Sequence, residues 1–316
     1  MKLRAETSGQ RLDIFLAAAV PELTRSAAQR LLEQGNAPLK KNARTEAGAE
    51  YELSLPELRE TELVAQDIPL DVVYEDADVL VVNKPKGLVV HPAAGHEDGT
   101  LVNALLHHCG ESLSGINGVL RPGIVHRIDM DTTGALVICK SDFAHQSLAE
   151  QLSVHSITRK YRAIVHGNLK EDEGTIEGPI GRHPTDRKKM AINHKNGKDA
   201  ITHYKVLERF GEATYVECRL ETGRTHQIRV HMKHIGHTLF NDERYGGHEI
   251  LKGTTFTKYR QFVQNCFAIC PRQALHAKTL GFIHPTTKKE MFFDSELPDD
   301  MRQLIDKWRI YANSKE

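Results

Sequence analysis

The spacing of apolar residues changes along the first part of the chain. Apolar residues three and four positions apart predict a helix over residues 11–20, and a second helix is predicted over residues 27–34. Residues 51–55 alternate between polar and apolar, which is typical of a strand. We therefore predict a small α/β unit over residues 1–60, followed by an acid-rich linker over residues 61–69.

From residue 70 onward, short apolar or alternating runs are separated by turn residues. They predict strands over residues 79–82, 134–141, 160–167, 202–210, 213–221, 273–285 and 289–295. Helical spacing predicts helices over residues 101–108, 144–153, 231–235 and 301–310. This order of strands and helices predicts an α+β domain over residues 70–316, built on a mixed, mainly antiparallel sheet flanked by helices and loops.

The composition is that of a soluble globular protein, with 40% hydrophobic and 27% charged residues in a chain of 316. No apolar run approaches the ~20 residues that a membrane-spanning helix needs. The N-terminus lacks the apolar segment of a secretory signal. The five cysteines are scattered, which fits a reducing compartment better than a disulfide framework. We therefore expect a cytoplasmic protein that does not bind a membrane.

The charges balance, with 42 basic and 42 acidic residues, so net charge gives no support for nucleic-acid binding. Two basic stretches nevertheless suit RNA. The stretch GRHPTDRKKMAINHKNGK, residues 181–198, contains one acid, and we favour phosphate contact there over a merely solvated loop. In RKYRAIVHG, residues 159–167, Tyr161 lies among cations. It is either a base-stacking residue or an ordinary half-buried strand tyrosine.

The stretch HRIDMDTTGALV, residues 126–137, contains several ionisable groups and then turns apolar. Asp129 therefore lies on a loop that leads into a core strand, a common position for a catalytic carboxylate. From local spacing alone, a structural role is favoured, in which Asp129 caps the turn or pairs with Arg127. The chemistry of Asp129 stays open at this point.

The stretch ETGRTHQIRVHMKHIGH, residues 221–237, brings cations and histidines together. Arg224 and Arg229 are candidates to keep a neighbouring carboxylate ionised, because a nearby opposite charge lowers a carboxyl pKa. Histidines recur every third residue in this stretch, which also fits a metal-binding face. Basic neighbours are poor metal ligands, so we expect a solvated or RNA-facing surface and no metal.

Several cofactor and nucleophile motifs do not occur in the sequence. It contains no Walker A motif, no G-x-S-x-G, no H-E-x-x-H and no G-x-G-x-x-G after a strand. Nucleotide hydrolysis, serine hydrolysis and nicotinamide chemistry therefore lack their usual sequence support. We expect no cofactor.

Five stretches taken together resemble the RluA-type pseudouridine synthases, and in particular their RluD-like branch. They are NKPKGLVVHPAAGHEDGTLVNALLHH, RPGIVHRIDMDTTGALVICKS, ITRKYRAIVHG, LETGRTHQIRVHMKHIGHTLFNDERYGG and QALHAKTLGFIHPTTKKEMFF. They follow one another in order over residues ~70–300, which makes the resemblance specific. In addition, RLDIFLAAAVPELTRSAAQRLLEQG resembles the two helices of an S4 RNA-binding module. The resemblance implies the pseudouridine synthase fold with an S4-like domain in front of it.

The resemblance also implies roles for individual residues. Asp129 corresponds to the family's catalytic carboxylate, and Tyr161 to the tyrosine that packs against the target base. Arg229 corresponds to the cation paired with that aspartate, and Arg127 to the arginine that enters the RNA stack when the uridine flips out. Asp129 would either attack C1′ or remove the C2′ proton to give a glycal-type intermediate; we favour the second route.

The expected partner is RNA, most directly 23S rRNA or the assembling large ribosomal subunit, bound by a monomer with no role for DNA. The alternatives are the same chemistry on tRNA, and a non-catalytic RNA-binding factor in ribosome assembly. The further RNA contacts that we expect are Arg182, Lys188, Lys189, Arg224, His226, Lys40 and Lys41.

Overall fold

The computed structural model describes residues 2–20, 28–29, 32, 43–52, 63–93, 95–110, 112–116, 121–254 and 256–314. The chain divides into two compact units, Met1–Glu62 and Leu63–Glu316. No helix of the described residues is long and apolar enough to cross a membrane.

The small unit pairs its two ends through short antiparallel strands. Strand β1 (Lys2–Arg4) pairs with β2 (Glu50–Glu52), and helix α1 (Leu12–Ala19) buries Leu12 and Leu16. The helix predicted over residues 11–20 is therefore confirmed. The strand predicted to begin at residue 51 begins one residue earlier, at Glu50. Most of the helix predicted over residues 27–34, together with Lys40 and Lys41, lies outside the described residues.

Nine strands of the large unit form one sheet. They are β3 (Val72–Glu75), β4 (Val79–Lys84), β5 (Thr133–Cys139), β6 (Thr158–His166), β7 (Glu173–Glu177), β10 (Ile201–Arg209), β11 (Ala213–Leu220), β12 (Leu275–Ile283) and β13 (Glu290–Asp294). A separate two-stranded hairpin consists of β8 (Ile180–Arg182) and β9 (Met190–Ile192). The helices are α2 (Leu101–Cys109), α3 (Asp142–Ser153), α4 (Gln227–His234), α5 (Thr257–Ile269) and α6 (Asp299–Asn313), with a short 3-10 helix at Glu243–Tyr245.

The strand order is β3-β4-β5-β12-β6-β11-β10-β7, and β13 adds to the far half of β12. Only the β5–β12 pair is parallel; the other pairs in this sheet are antiparallel. The prediction of an α+β fold on a mixed, mainly antiparallel sheet is confirmed.

Helices cover the two faces of the central strands. Leu80 and Val82 of β4 pack in one core with α2 and α4, whereas Val79 and Val81 pack with α3 on the opposite face. This follows from the two-residue alternation of side chains along a strand. Every residue of β5 is buried, because helices or neighbouring strands cover both of its faces. A third core, rich in aromatic residues, lies beneath α5 and α6.

The structure differs from the predicted elements at several points. The basic stretch 181–198 was predicted as a loop, but Ile180–Arg182 and Met190–Ile192 pair as the β8–β9 hairpin. Helix α4 begins at Gln227, four residues before the predicted start at 231. Helix α5 and strands β3 and β7 were not predicted. Residues 63–70 lack regular secondary structure and belong to the large unit, where Asn103 Nδ2 donates to the Val64 carbonyl at 2.8 Å.

Candidate active site

The loop before β5 carries Asp129 and is held at three places. The backbone N–H of Val137 donates to Nε2 of His126 at 3.2 Å. The carbonyl of Met130 accepts from Lys84 Nζ at 2.7 Å, and the carbonyl of Asp131 accepts from an Arg272 guanidinium N–H at 2.8 Å. His126 and Asp131 were given no role from the sequence. Here His126 fixes the loop to the sheet.

Lys84 is a buried cation that sequence reasoning overlooked. It is 1% exposed and donates to three carbonyls, those of Pro85, Leu88 and Met130. Burial lowers the pKa of Lys84 to about 7, even though the negative charges of Asp131 and Asp129 oppose that shift. The NKP triplet was part of the family resemblance, but nothing in its spacing indicated that its lysine supports the Asp129 loop.

A glycine allows β5 and β12 to approach closely below this loop. Gly134 has φ of +116°, and a Cβ built there would lie 2.2 Å from the Ala277 carbonyl oxygen. Only glycine fits such a contact. Ala277 of β12 pairs with both Gly134 of β5 and Tyr161 of β6. Only strand β12 therefore separates Tyr161 from the base of the Asp129 loop.

Arg229 joins Asp129 to a second carboxylate. Its Nη1 donates to Asp129 Oδ2 at 2.8 Å, while Nε and Nη2 donate to the two oxygens of Asp242 at 2.7 and 2.8 Å. The Arg229 guanidinium also lies 5.0 Å from the centroid of the Tyr245 ring. Asp242 is fully buried, whereas the Asp129 side chain is 17% exposed. The bidentate pair with Asp242 therefore fixes the guanidinium, which presents its remaining edge to Asp129.

The pKa of Asp129 is lowered from its ordinary value. Burial raises this pKa, but the charges of His226 and Arg229 and the Arg229 hydrogen bond lower it by more. Burial lowers the pKa of His226 to about 4, so its ring is neutral at pH 7. Arg229 is therefore the cation that keeps Asp129 ionised under those conditions.

His226 lies beside Asp129 and contacts the Tyr245 hydroxyl. The Met190 N–H donates to the Tyr245 hydroxyl oxygen at 3.0 Å, and that hydroxyl lies 2.8 Å from His226 Nδ1. His226 Nε2 is 3.9 Å from Asp129 Oδ1. His226 also has a positive φ of 56°, in the left-handed region that non-glycine residues uncommonly adopt.

Asp129 lies at the boundary of two adjoining cavities. A cavity of about 550 Å³ has Tyr161, Leu220 and Leu275 in its wall, and a neighbouring cavity of about 490 Å³ contains polar residues of the 241–248 segment. Arg127, Asp129, His226 and Arg229 line both. The Tyr161 side chain is 7% exposed, and burial raises its pKa, so it presents a neutral ring. The first cavity thus combines an apolar wall with an ionised carboxylate.

The other predicted contact residues divide into two groups. Arg127 is exposed and its Nη1 lies 3.0 Å from His91 Nε2; Arg224 lines the larger cavity and donates to the Asp199 carbonyl at 2.9 Å. These two lie with Asp129. Arg182, Lys188 and Lys189 instead lie in the β8–β9 hairpin and line neither cavity.

The histidines at three-residue spacing do not share one solvated face: His234 is exposed, but His231 is buried. His231 is completely buried; its Nδ1 lies 2.9 Å from the Thr202 hydroxyl and its Nε2 lies 3.1 Å from the Gly178 carbonyl. For His231 the prediction of a solvated face is wrong, because this side of α4 packs against β10 and β9. Within the described part of the chain, no group of three or more histidine, cysteine or acidic residues is placed to hold a metal ion.

Comparison with known proteins identifies consistent relatives. A family model described as RNA pseudouridylate synthase matches residues 78–234, which include Asp129, Tyr161 and Arg229. A Bacillus subtilis protein named as an uncharacterized RNA pseudouridine synthase is 47% identical over 309 residues, 96% of each chain. A Zymomonas mobilis protein named ribosomal large subunit pseudouridine synthase D is 46% identical and covers 98% of this chain and 97% of its own. The solved structure of human RNA pseudouridylate synthase domain containing 1 aligns with a TM-score of 0.52 at 26% identity, covering 80% of this chain and 98% of that one.

Proposed function

The chain belongs to the RNA pseudouridylate synthase family and isomerises uridine to pseudouridine in RNA; we propose that Asp129 is its catalytic carboxylate and large-subunit ribosomal RNA its substrate. The observation that supports the role of Asp129 is its geometry. It is a partly exposed carboxylate at the boundary of two cavities, with one oxygen bound by Arg229. Its other oxygen has no hydrogen bond within the described residues.

The reaction needs few groups because its atoms are only rearranged. The C1′–N1 bond breaks, the uracil turns, a C1′–C5 bond forms, and the C5 proton leaves while N1 gains one. In our preferred route, Asp129 Oδ1 removes the C2′ proton as the glycosidic bond breaks and returns it to C2′ when the C1′–C5 bond forms. Direct attack of the carboxylate on C1′ is the alternative route. Either route needs the ionised carboxylate that Arg229 maintains.

The uridine must leave the RNA stack before Asp129 reaches its ribose. We propose that the uracil packs against the Tyr161 ring in the larger cavity, and that Arg127 fills the space that the base leaves. Arg127 is exposed and lines both cavities, so it is available for insertion. Extrusion costs a few kcal/mol, which such an inserted side chain and phosphate contacts offset.

The proposed substrate rests on named relatives. Proteins named ribosomal large subunit pseudouridine synthase D are 46% identical to this chain in Zymomonas mobilis and in Pseudomonas aeruginosa. We propose that the large unit is the catalytic domain and that the first 60 residues are an S4-like RNA-binding domain. We further propose that the protein acts as a cytoplasmic monomer on 23S rRNA or the assembling large subunit, with Arg224, His226, Arg182, Lys188, Lys189, Lys40 and Lys41 among its RNA contacts.

Mapping tests the substrate. RNA from a deletion strain is treated with carbodiimide and read by primer extension, with the parent strain as the reference. We expect one or more positions of large-subunit rRNA to revert to uridine, and plasmid-borne wild-type protein to restore them. An unchanged rRNA profile together with a reverted tRNA position would contradict the rRNA assignment.

A single substitution tests the chemistry. In Asp129→Asn the side chain keeps its size but loses its charge. We expect tritium release from C5-labelled uridine RNA to be lost while RNA binding persists. Unchanged tritium release would remove Asp129 from the mechanism, and a wild-type protein that binds RNA without releasing tritium would indicate a non-catalytic assembly factor.

A further inference from the structure

Arg159 is a buried cation in the wall of the larger cavity. It lies on β6 two residues before Tyr161, so both side chains point to the same face of the strand, and each is 7% exposed. Arg159 lines the cavity together with Tyr161 and Asp129. Arg159 has no role in the proposed mechanism.

Unlike the other buried arginines, Arg159 lacks an acidic partner. Arg229 binds Asp129 and Asp242, and Arg272 binds Asp300 through two hydrogen bonds. Among the described residues, no carboxylate forms an ion pair with Arg159; its Nη2 donates to the Glu221 carbonyl at 3.0 Å, and its buried Nε has no acceptor. Buried cations are normally paired, because an unpaired one keeps the full cost of leaving water.

The carboxylates that line the cavity, among the described residues, already have other partners. The acidic residues that line the cavity are Asp129 and Glu221. Arg229 engages Asp129, and Glu221 lies 2.6 Å from His203 Nε2. A Cβ on Gly223 would lie 2.6 Å from Arg159 Nη1, so this glycine lets the loop pass close to the guanidinium.

We propose that Arg159 binds a backbone phosphate next to the flipped uridine, so that the RNA supplies the counter-ion that the protein lacks. The inference rests on the proposed function, because it needs the uridine in this cavity. A phosphate fits better than the neutral uracil carbonyls, since it compensates the charge and accepts from planar N–H groups in pairs. Arg224, which lines the same cavity, is a further cation on that side.

The test combines protein variants with neutral linkages in the RNA. Full-length protein binds a synthetic RNA stem-loop carrying the uridine that the wild-type protein modifies, with one methylphosphonate either 5′ or 3′ of it. For wild-type protein, we expect one of these linkages to weaken binding about tenfold, the value of one charge-assisted hydrogen bond. For Arg159→Gln, we expect a similar loss with normal RNA and no further loss with the neutral linkage.

Two other variants complete the cycle. Arg159→Lys keeps the charge, so it should remain sensitive to the same neutral linkage. Arg162→Gln is the matched control, because Arg162 lies on the other face of β6. Its ion-pair partner Glu217 still contacts Lys160 in this variant. The loss of affinity that the neutral linkage causes should be the same for Arg162→Gln as for wild type. Equal losses in wild type and Arg159→Gln at both linkages would overturn the proposal.

The stability of the free protein separates phosphate binding from a structural role. Removing an unpaired buried charge should leave the melting temperature of Arg159→Gln equal to or above that of wild type. A lower melting temperature with unchanged RNA affinity would assign Arg159 to the fold and overturn the proposal. A different measurement reports failure of the proposed function: Asp129→Asn would then still release tritium. The binding measurements with the Arg159 variants do not depend on tritium release, so they would still test phosphate binding by Arg159.

Discussion

The charged residues of the candidate site fall into two regions with opposite construction. In the cluster of Asp129, Arg229 and Asp242, the arginine is 6% exposed and makes three hydrogen bonds to carboxylates. In the β8–β9 hairpin, Arg182 and Lys188 are exposed, and Lys189 makes a 3.4 Å contact with Asp186. Fixed, desolvated charges act on the chemical step, whereas solvated charges attract the RNA backbone. The cluster should therefore control the rate, and the hairpin the affinity.

One side chain connects the two regions. The Tyr245 hydroxyl accepts from Met190 N–H in β9 and lies 2.8 Å from His226 beside Asp129. Its ring lies under the Arg229 guanidinium. We therefore expect the effect of a substitution on the reaction rate to decrease from the cluster, through Tyr245, to the hairpin.

Arg229→Gln should have the largest effect in this series. It leaves Asp129 and the buried Asp242 without their cation, and we expect single-turnover pseudouridine formation to fall by about 1,000-fold. The free energy of unfolding should also fall by about 3–5 kcal/mol, because a buried ion pair loses one partner. Arg309→Gln is the control: Arg309 pairs with Glu208 at 2.8 Å but is 47% exposed, so both quantities should change little. Equal rates for the two variants would contradict the role of the cluster.

Asp242→Asn should have the next largest effect. The amide cannot hold the Arg229 guanidinium as the bidentate carboxylate does, so Arg229 shifts relative to Asp129. We expect the single-turnover rate to fall by about 100-fold, as for a small misplacement of a catalytic group, with RNA affinity retained. Glu208→Gln removes a carboxylate from the exposed Arg309 pair and serves as the control. A variant with wild-type rate would show that Asp242 has no positioning role.

Tyr245→Phe tests the connection between the two regions. It removes the hydroxyl that fixes the His226 ring and accepts from the hairpin, and we expect a rate loss of about five- to tenfold, the value of one neutral hydrogen bond. Tyr204→Phe, on strand β10, is the control. If Tyr245→Phe changes RNA affinity and leaves the rate intact, the tyrosine supports the hairpin rather than the cluster.

The hairpin should give the smallest effect on the rate. For the double variant Lys188→Gln and Lys189→Gln, we expect a wild-type single-turnover rate at saturating RNA. Its plot of log affinity against log salt should be shallower by about 1.4, at about 0.7 per lost contact with single-stranded RNA. Lys288→Gln with Lys289→Gln removes the same charge from the turn between β12 and β13. An identical salt slope in both double variants would remove the hairpin from the RNA interface.

Sequence reasoning located the proposed site residues better than the residues that support them. Asp129, Tyr161 and Arg229 lie within short stretches that resemble a family, so their positions follow from local pattern. Asp242 and Tyr245 belong to a stretch quoted for the same resemblance, but their contacts with Arg229 depend on the fold. No spacing rule indicates that Arg229 will bind a carboxylate 100 residues earlier in the chain, and only the family resemblance led to that expectation.

The fold shows the same limit. Alternating runs predicted the central strands, because burial on one or both faces leaves a clear apolar pattern. The β8–β9 hairpin was not predicted, because its few apolar residues lie among lysines and arginines. Helix α5 buries only Tyr259, Val263 and Cys266, which recur with helical spacing; that signal was present and was missed.

The carboxyl 13C resonance of Asp129, followed by NMR from pH 3 to pH 8, tests most directly whether Arg229 keeps Asp129 ionised. The resonance is assigned as the signal that is lost in Asp129→Asn. A depressed pKa means that the carboxylate is present at neutral pH and is protonated only below the ordinary value of about 3.9. We expect the wild-type midpoint below that value and a higher midpoint in Arg229→Gln, because burial is then opposed only by the charges of His226 and Arg127. A wild-type midpoint above the ordinary value, or the same midpoint in both proteins, would contradict the account.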